Sequence, residues 1–241
     1  MANKNKKGLN TNSNSYTLIY SIVLVVLVAF ILAFVFQALK PMQDSNVALD
    51  KKKQILYALN VRDLDDEASA QKYKELVEAD EVIDENGKVL QPGTAGGEND
   101  GFKLNSGDFK AGRLALFVCN VNGEKKYVIP VYGMGLWGGI SGYIALNEDK
   151  ATVYGAYFNH ESETAGLGAE IKDSREWQEM FNGKHLFAAG DSTKIALAVE
   201  KKVEDPATQV DAVTGATLTS NGVTEMLQGG LAKYLTFLMD K

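Results

Sequence analysis

The sequence is poor in the residues that usually hold metals or cross-link a chain. Its single cysteine, Cys119, excludes an internal disulfide and any cysteine-based zinc or iron–sulfur site, and it fits a small buried apolar position in a strand. Two histidines, His160 and His185, leave little for a histidine metal site, and we expect surface or core roles for both. We predict no metal site, so any redox chemistry here would need a cofactor attached in another way.

Two classes of ligand are excluded by what the chain lacks. No G-x-G-x-x-G stands between a strand pattern and a helix pattern, so we expect no direct NADH binding. The first 40 residues carry four lysines and no acid, whereas the whole chain has 25 Lys and Arg against 31 Asp and Glu. The remainder therefore holds 21 basic and 31 acidic side chains, a net charge of −10. We expect no nucleic-acid binding, because phosphate contacts need clustered Lys and Arg.

One long apolar run lies near the N-terminus. No charged residue occurs from position 8 to 39, and residues 16–36 read YTLIYSIVLVVLVAFILAFVF. A bilayer-spanning helix needs about 20 apolar residues. A cleaved signal peptide is the alternative, but its apolar core is only about 7–15 residues long and ends at a small-residue cleavage site, which is weak here. We therefore predict a single, uncleaved transmembrane helix over residues 16–39.

The charges beside this run predict its orientation. Three lysines precede it closely, at positions 4, 6 and 7, whereas Lys40 after it is soon followed by Asp44 and Asp50. The positive-inside rule then places residues 1–15 as a cytoplasmic tail and the rest outside. In a Gram-negative cell this means the inner membrane, with residues 40–62 as a stalk helix and residues 63–241 as a periplasmic domain.

The remainder of the chain alternates between strand and helix patterns. With 241 residues and 45% hydrophobic side chains, it can form one or two globular domains. We predict an acidic amphipathic helix at 64–80, a hairpin turn at 85–87, a loop at 91–107 and a short helix at 174–182 capped by Ser174. Strands are predicted at 113–120, 125–131, 141–147, 152–158 and 194–200. The last segment places seven apolar side chains on one helical face: Val223, Met226, Leu227, Leu231, Tyr234, Leu235 and Leu238. The fold class is α+β, a mostly antiparallel sheet with packed helices.

The sharpest motif occupies residues 211–217, which read DAVTGAT, or D-x-x-[S/T]-G-A-T. It resembles the flavinylation site of proteins that carry FMN phosphoester-linked to threonine, which implies that Thr217 bears the FMN. Thr217 begins the last helix, where free N–H groups and the helix dipole favour a phosphate. Gly215 and Ala216 leave the approach to the hydroxyl open. The alternative is that Thr214 or Thr217 only caps the helix. The resemblance also implies that Asp211 holds magnesium or anchors the modifying enzyme.

Two glycine-rich segments precede this motif. Residues 133–143 read GMGLWGGISGY around Trp137, and glycines there would let backbone approach a flat ligand. Residues 160–169 read HESETAGLGA and resemble the H-x-E-T-P-G-L-G element of FMN-binding domains. The departures are one extra residue between His160 and Glu163, and Ala165 where proline is usual. We predict that both segments converge on Thr217, because a cofactor tethered at one residue needs further contacts to hold its ring.

Taken in order, the span, the stalk and the motifs resemble the NqrC family of the sodium-translocating NADH:quinone reductases. That resemblance implies a flavoprotein subunit that relays electrons from NADH towards quinone in a complex that exports sodium. Its implied partners are the other subunits and a flavin transferase, and no residue of the chain is catalytic alone. The predicted FMN-contacting residues are Thr217, Asp211, Thr214, Gly215, Ala216, Glu163, Thr164, Gly166, Leu167, Gly168 and Trp137. The alternatives are RnfG of the Rnf electron-transport complex, which shares the FMN-binding domain, and a membrane-anchored binding module without a cofactor.

Among these residues, the expected roles differ. Glu163 and Thr164 are expected to bond the edge of the isoalloxazine ring, where a hydroxyl and backbone N–H groups tune its electronics. Leu167 could pack on the ring face or in the core. Trp137 could lie near the flavin, between subunits or simply buried.

Overall fold

The computed structural model describes residues 11–240, which divide into two units between Ala48 and Leu49. Helix α1, Asn14–Ala58, begins in the first unit, and its last turns belong to the second. Its apolar residues between 18 and 39 are exposed, and by length and composition it can cross a membrane. Pro41 lies inside it without ending it. The three lysines on which the orientation prediction depends lie outside the described residues.

A six-stranded antiparallel sheet forms the frame of the second unit. Its strands are β1 Val77–Ile83, β2 Val89–Gln91, β3 Leu114–Val121, β4 Glu124–Met134, β5 Gly139–Leu146 and β6 Val153–His160. Their order in space is β2-β1-β3-β4-β5-β6. Two further strands, β7 Ala198–Glu200 and β8 Gln209–Asp211, pair in parallel. The predicted α+β fold, with its mostly antiparallel sheet, is therefore confirmed.

Helices surround this sheet and supply much of the core. They are α2 Asp66–Leu76, a 3₁₀ turn at Gly101–Lys103, α3 Ser106–Lys110, α4 Glu170–Asp173, α5 Arg175–Glu179, α6 Thr217–Ala232 and α7 Leu235–Met239. Helix α6 packs so closely on β4 that a Cβ at Gly133 would lie 2.6 Å from Met226 Cβ. The buried Tyr234 hydroxyl donates to the Ala115 carbonyl oxygen of β3 (2.9 Å). The predicted apolar face of the last helix is thus the face that covers the sheet.

The acidic helix predicted at 64–80 was wrong at its C-terminal end. Helix α2 stops at Leu76, and β1 begins at Val77. The acids there suggested a solvated helix face, but Asp80 is fully buried. Its carboxylate accepts hydrogen bonds from the N–H groups of Thr94, Asp100 and Phe102. A long-range loop contact, rather than helix propensity, decides the local structure.

Other boundaries shifted less. The predicted strand at 194–200 is reduced to Ala198–Glu200, and the last helix is divided in two between residues 232 and 235. The predicted loop at 91–107 contains the 3₁₀ turn and the start of α3. The hairpin turn before β2, strands β3 to β6 and the Ser174 cap of α5 are confirmed; the Ser174 hydroxyl accepts from the Trp177 N–H.

Candidate functional site

The site is built around the first turn of α6. Strand β8 ends at Asp211, the chain turns through Gly215 with φ +77°, and α6 begins at Thr217. The N-cap residue is Ala216, and within the described residues no side chain caps this helix. The alternative that Thr214 or Thr217 merely caps α6 was therefore wrong. Because the first N–H groups of a helix have no partner inside it, this end can accept an anion.

Hydroxyl groups at this helix start differ sharply in exposure. Thr219 and Ser220 are each 1% exposed. The Thr219 hydroxyl donates to Glu163 Oε2 (2.5 Å), and the Ser220 hydroxyl accepts from the Val213 N–H (3.2 Å). Thr214 and Thr217 are exposed. Thr217 is thus the one exposed hydroxyl residue in the first turn of α6, and among residues 11–240 its hydroxyl has no hydrogen-bond partner.

The segment 160–169 follows β6 as a tight loop. The Glu163 N–H donates to His160 Nδ1 (3.1 Å), which gives this histidine a structural role. The N–H groups of Leu167 and Ala169 both donate to the Thr164 carbonyl oxygen (3.1 Å each), and Gly166 adopts φ +72°. The loop therefore closes with the extra residue before Glu163 and without the usual proline. Its side chain at Thr164 is left exposed.

Glu163 joins three segments of the chain. Its carboxylate accepts from the Thr219 hydroxyl through Oε2 and from the Trp137 N–H through Oε1 (2.8 Å). Burial raises the pKa of Glu163, but the hydrogen bonds from Thr219, Trp137 and the Gly138 N–H outweigh it, so that its pKa lies below the ordinary value. A charged carboxylate therefore ties both glycine-rich segments to the start of α6.

Three glycines make this junction possible. A Cβ at Gly168 would lie 2.6 Å from both Glu163 Oε2 and Thr219 Oγ1, and a Cβ at Gly135 would lie 2.5 Å from Glu163 Oε1. A Cβ at Gly222 would run into the Met134 carbonyl oxygen. Real Cβ atoms do not approach so closely, so larger residues would push the segments apart. Close packing against the Glu163 side chain is therefore one reason why glycine occupies position 135, beside Trp137.

A second contact brings the 160–169 loop to the 211–217 motif. A Cβ at Gly215 would lie 2.9 Å from Leu167 Cδ2, so the Leu167 side chain sits against the turn that precedes Thr217. The 160–169 loop thus reaches this turn, as predicted, whereas the 133–143 segment meets α6 further along, at Gly222, and is linked to Thr219 through Glu163. Apolar side chains of these two segments and of the first turn of α6 remain exposed: Met134, Leu136, Trp137, Leu167 and Leu218. Exposed apolar side chains gathered at one place are typical of a binding surface.

The remaining predicted residues have distinct positions. Asp211 is held through its backbone, since its carbonyl oxygen accepts from Trp177 Nε1 (2.8 Å). Its carboxylate is exposed and accepts no hydrogen bond within the described part of the chain. Trp137 is 66% exposed, so simple burial was the wrong alternative for it. Leu167 is likewise 42% exposed rather than core. Thr219 was not predicted as the partner of Glu163, because no local sequence pattern links residues 56 positions apart.

Comparison with known proteins identifies relatives over most of the chain. A family model described as the FMN-binding domain matches residues 135–232, which include Trp137, the 160–169 loop and Thr217. The NqrC subunit of the Na⁺-translocating NADH-quinone reductase of Haemophilus ducreyi is 33% identical, with 89% of this chain and 88% of that protein covered. The corresponding subunit of Pseudomonas aeruginosa is 30% identical, covering 93% and 94%.

Two solved structures resemble this one. The crystal structure of the corresponding reductase subunit from Parabacteroides distasonis superimposes with a TM-score of 0.76 at 35% identity, covering 84% of this chain and 98% of that one. The crystal structure of NqrC from Shewanella oneidensis gives a TM-score of 0.65 at 25% identity, covering 80% and 97%. The likeness therefore extends from sequence to fold.

Proposed function

The chain belongs to the NqrC family of the Na⁺-translocating NADH-quinone reductases, and on this premise we propose that it is a membrane-anchored flavoprotein subunit carrying FMN phosphoester-linked to Thr217. The observation that supports the linkage most strongly is the exposed Thr217 hydroxyl at an uncapped helix start. It lies in the D-x-x-T-G-A-T motif and in the part of the chain that matches the FMN-binding domain.

The residues at this place fit FMN. The first turn of α6 offers N–H groups to a phosphate beside the Thr217 hydroxyl. Leu167 and Trp137 offer exposed apolar surface to a flavin ring, and the exposed Thr164 hydroxyl can bond its polar edge. Bound here, FMN would supply the ability to take up and release electrons, while these residues bind and orient it. A phosphoester needs neither cysteine nor histidine, which suits a chain with so few of both.

Asp211 is proposed to act during attachment of the cofactor. Its backbone is fixed by Trp177, while its carboxylate faces solvent, close in sequence to the modified threonine. An exposed carboxylate of this kind can bind magnesium or be recognised by a flavin transferase. Thr214, Gly215 and Ala216 complete the segment that such an enzyme must reach. The transferase is therefore one proposed partner.

The other proposed partners are the subunits of a membrane NADH:quinone reductase. Electrons would pass from NADH through other subunits to this chain and onward towards quinone, in a process coupled to sodium export. We propose that residues 16–39 anchor the chain once in the inner membrane, with residues 1–15 in the cytoplasm and the stalk and domain, 40–62 and 63–241, in the periplasm. Protease added to spheroplasts should then degrade the domain. Protection of the domain would reverse the orientation.

In-gel fluorescence tests the central proposal. The full chain is produced together with a flavin transferase and denatured before electrophoresis, so that only covalent flavin remains. A fluorescent band is expected, and fragmentation of the peptide containing residues 211–217 should place the mass of FMN on Thr217. A dark band would favour a cofactor-free binding module. Flavin on another residue would move the site.

A further inference from the structure

We propose that Glu163 and Thr219 are positioning residues of the flavin site: their buried hydrogen bond sets where the Trp137 and Leu167 segments stand relative to Thr217. This inference rests on the proposed function, because the positions matter only if FMN is attached there. It differs from an assignment of Glu163 as a direct flavin contact. The pair acts through the segments that it joins, and Thr219 itself is a threonine that is not modified.

The geometry of the pair supports this role. Glu163 is 7% exposed and Thr219 is 1% exposed, and their oxygens are 2.5 Å apart. Thr219 is the third residue of α6 and lies on its buried side, whereas Thr217 at the helix start is exposed. A hydrogen bond to a charged carboxylate is stronger than one between neutral groups. A hydroxyl committed in this way fixes the loop against the helix rather than presenting itself for modification.

The second carboxylate oxygen extends the link to Trp137. Its N–H donates to Glu163 Oε1, and its carbonyl oxygen accepts from the Ser162 hydroxyl (3.2 Å). Trp137 as a whole residue is nevertheless two-thirds exposed. The backbone of Trp137 is therefore held from both sides while its ring remains available. Loss of the hydrogen bond to Glu163 would therefore free the backbone that positions the indole ring, without removing any contact that the ring itself makes.

On the other side of the loop, Leu167 depends on the same pair. Gly168, the next residue, has no room for a Cβ because Glu163 and Thr219 occupy that space. Leu167 itself lies against Gly215, two residues before Thr217. A change at the pair therefore moves Leu167 relative to the modified threonine. Both apolar side chains proposed to face the ring are placed by one buried contact.

Thr219→Val tests the role with little change in volume. It removes the hydroxyl donor, and valine keeps the branched shape of threonine. We expect FMN to remain attached to Thr217, with loss of the flavin's induced circular dichroism towards that of free FMN, lower fluorescence anisotropy and a shifted midpoint potential. Thr219→Ser keeps the donor and should restore all three signals. Unchanged signals in folded, loaded Thr219→Val would overturn the proposal.

Thr224→Val is the matched control. The Thr224 hydroxyl lies further along α6 and bonds both the N–H and the carbonyl oxygen of Val199 (2.9 Å each). Its loss should lower the melting temperature but leave the flavin signals as in the parent. Equal flavin changes in both variants would mean that any loss of a hydroxyl bond in α6 disturbs the site, which contradicts a positioning role for this pair.

Two further arms keep the outcome decisive. If Thr219→Val does not accumulate as folded protein, Glu163→Gln is used instead. It keeps the volume nearly constant, removes the carboxylate charge and places an amide opposite the Thr219 hydroxyl and the Trp137 N–H. The same flavin changes are expected, and their absence would overturn the proposal. A parent chain without covalent flavin would instead refute the proposed function. Failure of the two ideas is therefore distinguishable.

Discussion

Two buried carboxylates, Asp80 and Glu163, organise two loops of this protein, and the loops differ in whether their large apolar side chains are buried or exposed. Asp80 is fully buried and accepts from three backbone N–H groups of the loop between β2 and α3. Glu163 is 7% exposed and accepts from a side-chain hydroxyl and from backbone N–H groups. Both are surrounded by glycines at which a Cβ would collide with neighbouring atoms. Both loops are therefore held by a buried carboxylate that accepts hydrogen bonds among closely packed glycines.

The two loops differ in the exposure of their apolar side chains. Around Asp80, Phe102 and Leu104 are buried, and their carbonyl oxygens accept from the Lys51 ammonium group. Around Glu163, by contrast, Trp137 and Leu167 remain exposed next to an uncapped helix. The Asp80 loop buries its large apolar side chains, whereas the Glu163 loop and the segment it holds leave theirs exposed to solvent. A buried carboxylate by itself thus does not mark a functional site, and the feature that separates the two loops is the exposed apolar surface beside Glu163.

Replacing Thr217 should have the largest effect on flavin loading. This effect should be confined to the site held by Glu163 and should leave the Asp80 loop unchanged. Thr217→Ala should abolish covalent FMN and the electron transfer that depends on it. The free energy of unfolding without flavin should change by only about 0.5 kcal/mol, because Thr217 makes no cap and is exposed. Mass spectrometry and urea unfolding measure the two quantities. Thr217→Ser, which keeps a hydroxyl, is the control, and flavin retained by the alanine variant would contradict the assignment.

Changing Asp80 should give the opposite result. Asp80→Asn keeps the volume but places an amide among three N–H donors, so buried hydrogen bonds are lost. We expect unfolding to become easier by about 3 kcal/mol, as is typical when buried donors lose their acceptor. Protein that remains folded should still load FMN. A variant of normal stability with poor flavin loading would place function, rather than structure, at Asp80.

These two carboxylates also show where sequence analysis stops. Strands β3 to β6 and the apolar face of α6 were predictable because alternation and helical spacing are local. Asp80 lies in an acidic run that suggests a solvated helix, and its burial depends on a loop up to 22 residues away. The approach of both glycine-rich segments to the last long helix was predicted, but the bond between Glu163 and Thr219 was not. Contacts between residues far apart in sequence depend on tertiary packing. Local spacing rules for helices and strands cannot predict them.

Acid should separate the Glu163 loop from the helix. The hydrogen bonds that Glu163 accepts keep its pKa below the ordinary value of 4.5, against the effect of burial. Its contribution to stability is therefore complete above about pH 4.5 and is lost as the pH falls through the lower, folded-state pKa. Flavin circular dichroism in the loaded protein should decline over that acidic range. Glu163→Gln, having no charge to lose, should show no such transition there; an identical decline would assign the effect to other groups.

The smallest predicted effect concerns Thr164, the exposed hydroxyl of the same loop. Its carbonyl oxygen closes the turn, but its side chain is not needed for that, so Thr164→Val should leave stability within about 0.5 kcal/mol of the parent. Covalent loading should be complete, because Thr217 is untouched. If the hydroxyl bonds the flavin edge, its removal should shift the midpoint potential or slow reduction, measured by redox titration and stopped-flow absorbance. Thr164→Ser should behave like the parent. A potential and a rate unchanged by valine would mean that the backbone of this loop, held in place by Glu163, is all that the flavin requires.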